Sequence, residues 1–183
     1  MYRINNSLFI IGFAFFIIAC NQSAKGRNGI IYKNAVQYND YIIGRQSTLI
    51  KNVLDFIQVS QTDLDSANKM LDKNINDIKD MLNDIKGMPA YKGDSSLRDA
   101  AINLFEFYKN VFGSEYKRIL DIRINGEDAT TEGVTEMNNI VNKITKEEEG
   151  YDKAFHNAQQ DFAEKNHIKL GENEMQKKID KMK

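Results

Sequence analysis

The chain has 183 residues with 25 Lys and Arg against 26 Asp and Glu, a formal net charge of −1, one cysteine, one proline and no tryptophan. Near-neutral charge argues against nucleic acid, whose binding rests on cations neutralising phosphates, and a single thiol excludes an intramolecular disulfide. The absence of tryptophan weakens the case for a carbohydrate-binding face, while one proline and few glycines leave little to break long helices.

The first informative stretch is Leu8 to Cys20, a short apolar run preceded by the lone cation Arg3 and followed by Asn21, Gln22 and Ser23. A charged start, an apolar middle and a polar exit make a signal-peptide pattern, and the run falls short of the roughly twenty residues needed to cross a bilayer. Its end, Ile17-Ile18-Ala19-Cys20, looks like the lipobox of bacterial lipoprotein precursors, with an aliphatic residue three places before the cysteine and a small one directly before it. The resemblance implies cleavage between Ala19 and Cys20, a diacylglycerol thioether on Cys20 and acylation of the new amine. These acyl chains are the one covalent group expected; no other cofactor is. Each buried methylene contributes about 0.8 kcal/mol, so two or three chains suffice to hold a protein on a bilayer. Removal of residues 1–19 leaves 24 cationic side chains against 26 acidic ones, a balance of −2.

Residues 20–29 are polar, small and punctuated by glycine, and read as a lipidated tether. The domain expected at 30–171 follows. From Ile30 to about Gln61, Ile42, Leu49, Val53 and Phe56 recur at helical spacing beside Ile43, Ile50 and Ile57, a wide amphipathic face. Thr62 with Asp65 three places on resembles a capping arrangement and predicts a new helix start. Its seam is Leu64, Leu71, Ile75, Ile78, Leu82 and Ile85.

Gly87, Pro89, Gly93 and Asp94 mark a loop, after which Asp94 or Ser95 can cap a third helix running to about Asn125. That helix turns Leu97, Ala101, Leu104, Phe105, Tyr108, Val111, Phe112, Ile119 and Ile122 inward. A fourth begins near Asp128 or Thr130, carries Val134, Met137, Val141, Ile144, Tyr151, Phe155, Ala158 and Phe162, and ends near Asn166 to Gly171. The pattern predicts an all-α fold, an elongated antiparallel up-down-up-down four-helix bundle about 45 Å long. Residues 172–183 form a lysine-rich tail, read as solvated.

Bundles build sites from facing side chains, and the polar residues in the seams, Arg45, Gln46, Glu115, Arg118 and Glu148, are candidates for a core polar layer. A di-iron site requires two Glu-x-x-His pairs and two further carboxylates, but only Glu164 and His167 have that spacing, so no metal site is assigned. Charge pairing, with Arg45 or Arg118 neutralising Glu115 or Glu148, is the expected fate of these groups. His156 and His167 read as surface or boundary residues. No nucleophilic triad, phosphate-cradling glycine loop or His-Glu-x-x-His helix occurs, and no catalytic residue is assigned.

Tyr38-Asn39-Asp40-Tyr41-Ile42 with Gln46, Leu97-Arg98-Asp99-Ala100-Ala101 leading through Phe105 and Tyr108 to Glu115-Tyr116, and Gln159-Gln160-Asp161-Phe162-Ala163 before Asn166 resemble a family of uncharacterised bacterial surface lipoproteins. The resemblance implies a lipid-anchored helical domain on the outer membrane of a double-membrane bacterium, with no activity to carry over. Asn21 to Gly29 lacks the acidic residues that follow the cysteine in some surface-exported lipoproteins, which leaves the periplasmic face open beside the cell surface. The functional expectation is a non-enzymatic binding or scaffold module of the envelope, with the bilayer and an unidentified protein as partners. Its expected docking patch is Tyr32, Tyr38, Tyr41 and Tyr91. The alternative is a periplasmic carrier or metal- or small-ligand-binding bundle that uses the polar layer.

Overall fold

In the computed structural model the described residues are 24–171. The expected signal peptide with Ala19, Cys20 and the expected tail at 172–183 lie outside them. The body is all-α, with a two-residue antiparallel ribbon at its start. No helix among the described residues is long and apolar enough to cross a membrane.

The ribbon pairs β1 (Ala24–Lys25) with β2 (Ile31–Tyr32). Residues 24–29, expected to be tether, are therefore folded onto the body. Gly87 at the end of the second helix has a free carbonyl that accepts from the Arg27 amide at 2.7 Å, and the Asn28 side chain donates to the Asp84 carbonyl at 3.0 Å. The ribbon thus caps a helix C-terminus whose last carbonyls have no partner within the helix. A Cβ on Gly26 would stand 2.8 Å from the Gly87 oxygen, so this close approach requires glycine.

Helix α1 (Ala35–Thr62) starts at Asn34, whose side chain accepts from the Gln37 amide at 2.9 Å while the Gln37 side chain reaches back to the Lys33 amide at 3.0 Å. The predicted Thr62 cap is displaced by one residue. Asp63 alone separates the helices: its amide bonds the Val59 carbonyl at 2.9 Å, and its carboxylate receives the Ser66 amide at 2.9 Å, opening α2 (Leu64–Lys86). Asp63 takes the cap because it sits in extended backbone directly before the first turn, whereas Thr62 is still the last residue of α1. Arg45 meets Asp84 and Asn52 meets Asp77, so α1 and α2 run antiparallel.

The predicted loop is a tight turn. Tyr91 and Asp94 exchange backbone hydrogen bonds at 2.9 and 3.0 Å around Lys92 and Gly93, both at positive φ, which is the pattern of a type I′ turn. Asp94 then accepts from the Ser96 amide at 2.9 Å and starts α3 (Ser96–Val111). The third helix continues through a π-helical turn (Phe112–Tyr116) into α4 (Lys117–Ile124). A π turn holds one residue more than an α turn, so the buried phase slips: Leu120 is buried where Ile119 was expected, and Ile119 is half-buried.

Gly126 at φ 71° turns the chain, and after a short 3₁₀ turn (Glu127–Ala129) Thr130 caps α5 (Thr131–Asn166) by accepting from the Gly133 amide at 3.0 Å. The helix closes with His167 at φ 52° and the Ile168 amide on the Ala163 carbonyl at 3.0 Å, a Schellman ending on a residue other than glycine. Asp94 with Lys165, Glu115 with Lys143 and Arg118 with Glu136 show α5 antiparallel to α3 and α4 along its length.

The seam of α5 corrects the expectation in its first half. Ile144, Phe155 and Phe162 are buried, but Val134 and Val141 are 43% and 49% exposed. The first half rests on the third helix, whereas its side-chain meetings with α1, Gln159 on Asn39 and Phe162 on Tyr38, lie near the other end. A heptad pattern calls for neighbours on both flanks, and here one flank is open.

Candidate functional site

The four tyrosines expected to form an exposed patch do the opposite. Tyr32 and Tyr38 are 1% exposed, Tyr91 is 5%, and Tyr41 is half-buried. Tyr38 lies four residues before Ile42 and on the same seam, a signal legible in the sequence; Tyr32 and Tyr91 are carried inward by the ribbon and the tight turn. Their rings pack with centroids 5.2–5.4 Å apart, Tyr38 against Tyr32, Tyr91 and Phe162, and Tyr32 against Tyr41. The cluster joins the ribbon, α1, the turn and the end of α5. Burial raises the Tyr38 hydroxyl above the ordinary phenol range and pushes Tyr41 up to about 12, so both stay neutral near pH 7. Tyr38 donates to the Pro89 carbonyl at 2.8 Å. Their role is structural.

The five candidates for a polar layer are not brought together. Arg45 bonds Asp84 at 2.8 Å and lies 3.5 Å over the Tyr41 ring. Gln46 is buried on the α1 seam. Glu115 takes Lys143 at 2.8 Å, Arg118 takes Glu136 through two bonds at 2.7 and 2.8 Å, and Glu148 accepts the Tyr108 hydroxyl. None of the expected pairs of Arg45 or Arg118 with Glu115 or Glu148 forms: Arg45, Arg118 and Glu115 are each charge-paired with a residue that the sequence pattern did not indicate, and Glu148 is bonded by a neutral hydroxyl. Helical phase puts Arg118 and Glu115 at the margin of the third helix, where α5 offers Glu136 and Lys143. Burial, reinforced by the Glu148 charge, holds the Tyr108 and Tyr116 hydroxyls well above the usual range, so neither is available as a phenolate base.

The concave feature lies instead between α3 and α5. A cleft of about 330 Å³ is lined by Asn103, Glu106, Phe107, Asn110, Val111, Glu115, Lys143, Ile144, Glu147 and Tyr151. A second, of about 530 Å³, adjoins it and shares Asn103, Glu147 and Tyr151 while extending past Asp99, Ala100, Gly150 and Ala154. At their junction the Tyr151 ring stacks on Phe107 with centroids 4.8 Å apart and planes at 24°. Phe107 is 5% exposed and Tyr151 39%, so one ring fixes the other while leaving it open to a partner. The small residues Ala100, Gly150 and Ala154 keep the second cleft open beside that ring.

The rim is charged. Lys109 and Lys86 both bond Glu106 and hold its carboxyl below the usual range. Burial raises the Glu115 carboxyl, but bonds from Lys143 and Ser114 outweigh it and lower the net value. Glu147 is exposed and forms no ion pair among the described residues. The arrangement can receive an apolar group on Tyr151 and a cationic or hydrogen-bonding group at Glu147 and Asn103. Sequence reasoning placed Tyr151 in the core and passed over Phe107; the available signal was that Gly150 and Ala154 thin α5 on both sides of an aromatic. His156 and His167 are exposed, as expected. No group of three or more His, Cys, Asp and Glu side chains among the described residues stands close enough to hold a metal ion.

No protein-family model matches the chain, and no similarity is found to a characterised protein or to a solved structure.

Proposed function

We propose that the protein is a bacterial lipoprotein, acylated at Cys20 and held on the outer membrane. In this reading its body is an antiparallel up-down-up-down bundle, open along the flank of α5, that acts as a non-enzymatic binding or scaffold module for another protein. The observation that carries the binding role is the Tyr151 ring, half-open and stacked on buried Phe107 where two clefts meet. Rigid aromatic anchors in partly desolvated settings are the residues that dominate protein recognition. The anchor rests on Leu8 to Cys20, and the short distance from Cys20 to the ribbon keeps the body close to the lipid.

The test has two parts. Cys20→Ala should leave the body folded and move it out of the membrane fraction; retention in detergent-free buffer would overturn the anchor. A photo-crosslinking residue at Asn103 in the cleft should trap a protein in cells, and the same group at Asn68 on the exposed side of α2 should not. Equal trapping at both positions would remove the cleft as the binding site. External protease on intact cells separates the two membrane faces: loss of the body means the cell surface, and protection until the outer membrane is opened means the periplasm.

A second reading, a carrier of a small ligand, is favoured by the size of the first cleft, which falls at the lower end of the range for ligand pockets. Native mass spectrometry of the protein released from its own membranes tests it, since a carrier retains a bound mass that Lys143→Ala releases.

A further inference from the structure

The acyl chains enter at Cys20, and the ribbon begins at Ala24. Four residues reach at most about 14 Å when fully extended, so the end of the body that holds the ribbon cannot stand far from the headgroups. This step rests on the lipoprotein reading above. What that end presents is then informative. Lys25 and Ile31 face each other across the ribbon and project on its outer side, opposite to Tyr32, which goes into the aromatic cluster. Ile31 is 51% exposed, and Val36 in the first turn of α1 is 47% exposed. Lys25, Arg27, Lys33 and Lys92 are exposed around them and form no ion pair among the described residues.

Half of the acids at the same end are taken. Asp84 is bonded by Arg45, Asp94 by Lys165 and Asp99 by Arg98. Asp40, Asp161 and Glu164 are without an ion pair, against the four cations above and Lys169. The opposite end has the reverse sign: Asp63, Asp65 and Glu132 have no ion pair, and Lys69 is the unpaired cation beside them. The body is therefore an electrical dipole with its positive end where the anchor enters.

We propose that the ribbon and the first turn of α1 form a membrane-facing surface that docks on an anionic bilayer, with Ile31 and Val36 at the level of the headgroups and Lys25, Arg27, Lys33 and Lys92 against lipid phosphates. Exposed apolar side chains ringed by unpaired cations are the chemistry of interfacial contact. The ribbon is hydrogen-bonded to the end of α2, so docking fixes the orientation of the whole body and points Ile57, Ile124 and Val134 away from the membrane. The anchor alone would leave the body free to tumble; the docked surface holds it upright.

The test uses the lipidated protein on vesicles, because its only native thiol is consumed by the acyl chain and an introduced cysteine is unique. A spin label is placed at Val36→Cys in one sample and at Ile124→Cys in another. The two positions are matched in exposure, at 47% and 50%, and lie at opposite ends. Nickel chelated to a headgroup lipid supplies the relaxation agent. On vesicles of phosphatidylcholine with phosphatidylglycerol, the label at position 36 should relax several-fold faster than the label at 124. The gap should shrink on phosphatidylcholine alone, at high salt, and in a Lys25→Gln/Lys33→Gln variant, where about fivefold in surface affinity is lost per cation. Equal relaxation at the two positions in protein that floats with the vesicles overturns the docking surface and leaves the anchor intact. Protein that does not float overturns the anchor, and the docking surface with it.

Discussion

Replacing Phe162 by alanine tests the aromatic cluster that joins the ribbon and the start of α1 to the end of α5. Phe162 is 3% exposed, stacks on Tyr38 at 5.4 Å and 24°, and meets Tyr91 edge-on at 5.4 Å and 67°. Truncating a buried phenylalanine costs about 3–5 kcal/mol, part transfer and part cavity, and aromatic pairs contribute about 0.5–1.5 kcal/mol each within that. Collapse into the space is restricted, since Tyr38 is held by its bond to the Pro89 carbonyl and Tyr91 by the tight turn. The expected loss is therefore in the upper part of that range, about 4–5 kcal/mol. For a domain of this size that lowers Tm by about 8–20 °C. Urea unfolding of the detergent-solubilised protein, followed by far-ultraviolet circular dichroism, measures it, with m unchanged if the native and unfolded states keep their exposure. A double-mutant cycle with Tyr91→Ala should show coupling of at least about 0.5 kcal/mol, because the rings share one cavity. A loss below about 1 kcal/mol, the size of an ordinary substitution, would refute the cluster as the tie between the end of α5 and the start of α1.

Phe112→Ala should cost a similar 3–5 kcal/mol, since its ring is fully buried against Phe56 and Tyr116 at the π turn; the same unfolding curve reads it. Asp94→Asn keeps an acceptor for the Ser96 amide but removes the ion pair with Lys165 at 2.8 Å. Bonds from Lys165 and Ser96 hold the Asp94 carboxyl below its ordinary value. The native protein should therefore exceed the variant in stability by its full amount above the unfolded carboxyl value of about 3.9, and the difference should decline below that value and vanish only once pH has fallen through the lowered folded value. An unchanged difference in strong acid would show that the charge is not its source. Gly26→Ala forces a methyl to within 2.8 Å of the Gly87 carbonyl and should release the ribbon at a cost of about 1–3 kcal/mol. Limited proteolysis should then cut after Lys25 or Arg27 in the variant well before the native protein is touched.

The pattern of apolar residues was enough to define the helices. Asp94 and Thr130 are acceptors next to apolar-periodic runs, and each opens a helix within a residue or two of where the sequence puts it, whereas α1 starts only after Asn34, later than the Ile30 start of the apolar pattern. The all-α class follows from periods of three and four sustained through Phe162, broken only by short segments at 62–63, 87–94 and 126–130. The envelope address we propose likewise rests on Leu8 to Cys20 alone, because resemblance to a lipobox is a local pattern of residues. What only tertiary structure decided is which sides of those helices meet. Tyr32 and Tyr91 stand outside any helical period, so their burial depends on the ribbon and the tight turn folding back on Tyr38. Leu120 replaces Ile119 in the core because a π turn adds a residue, and no local preference marks that slip. Val134 and Val141 keep the seam's spacing and are exposed all the same, since periodicity states that a side chain is apolar and is silent on whether a second helix arrives to cover it. The cleft at Tyr151 arises from the same cause: it requires two helices at a set distance, and spacing along one chain segment does not contain that distance.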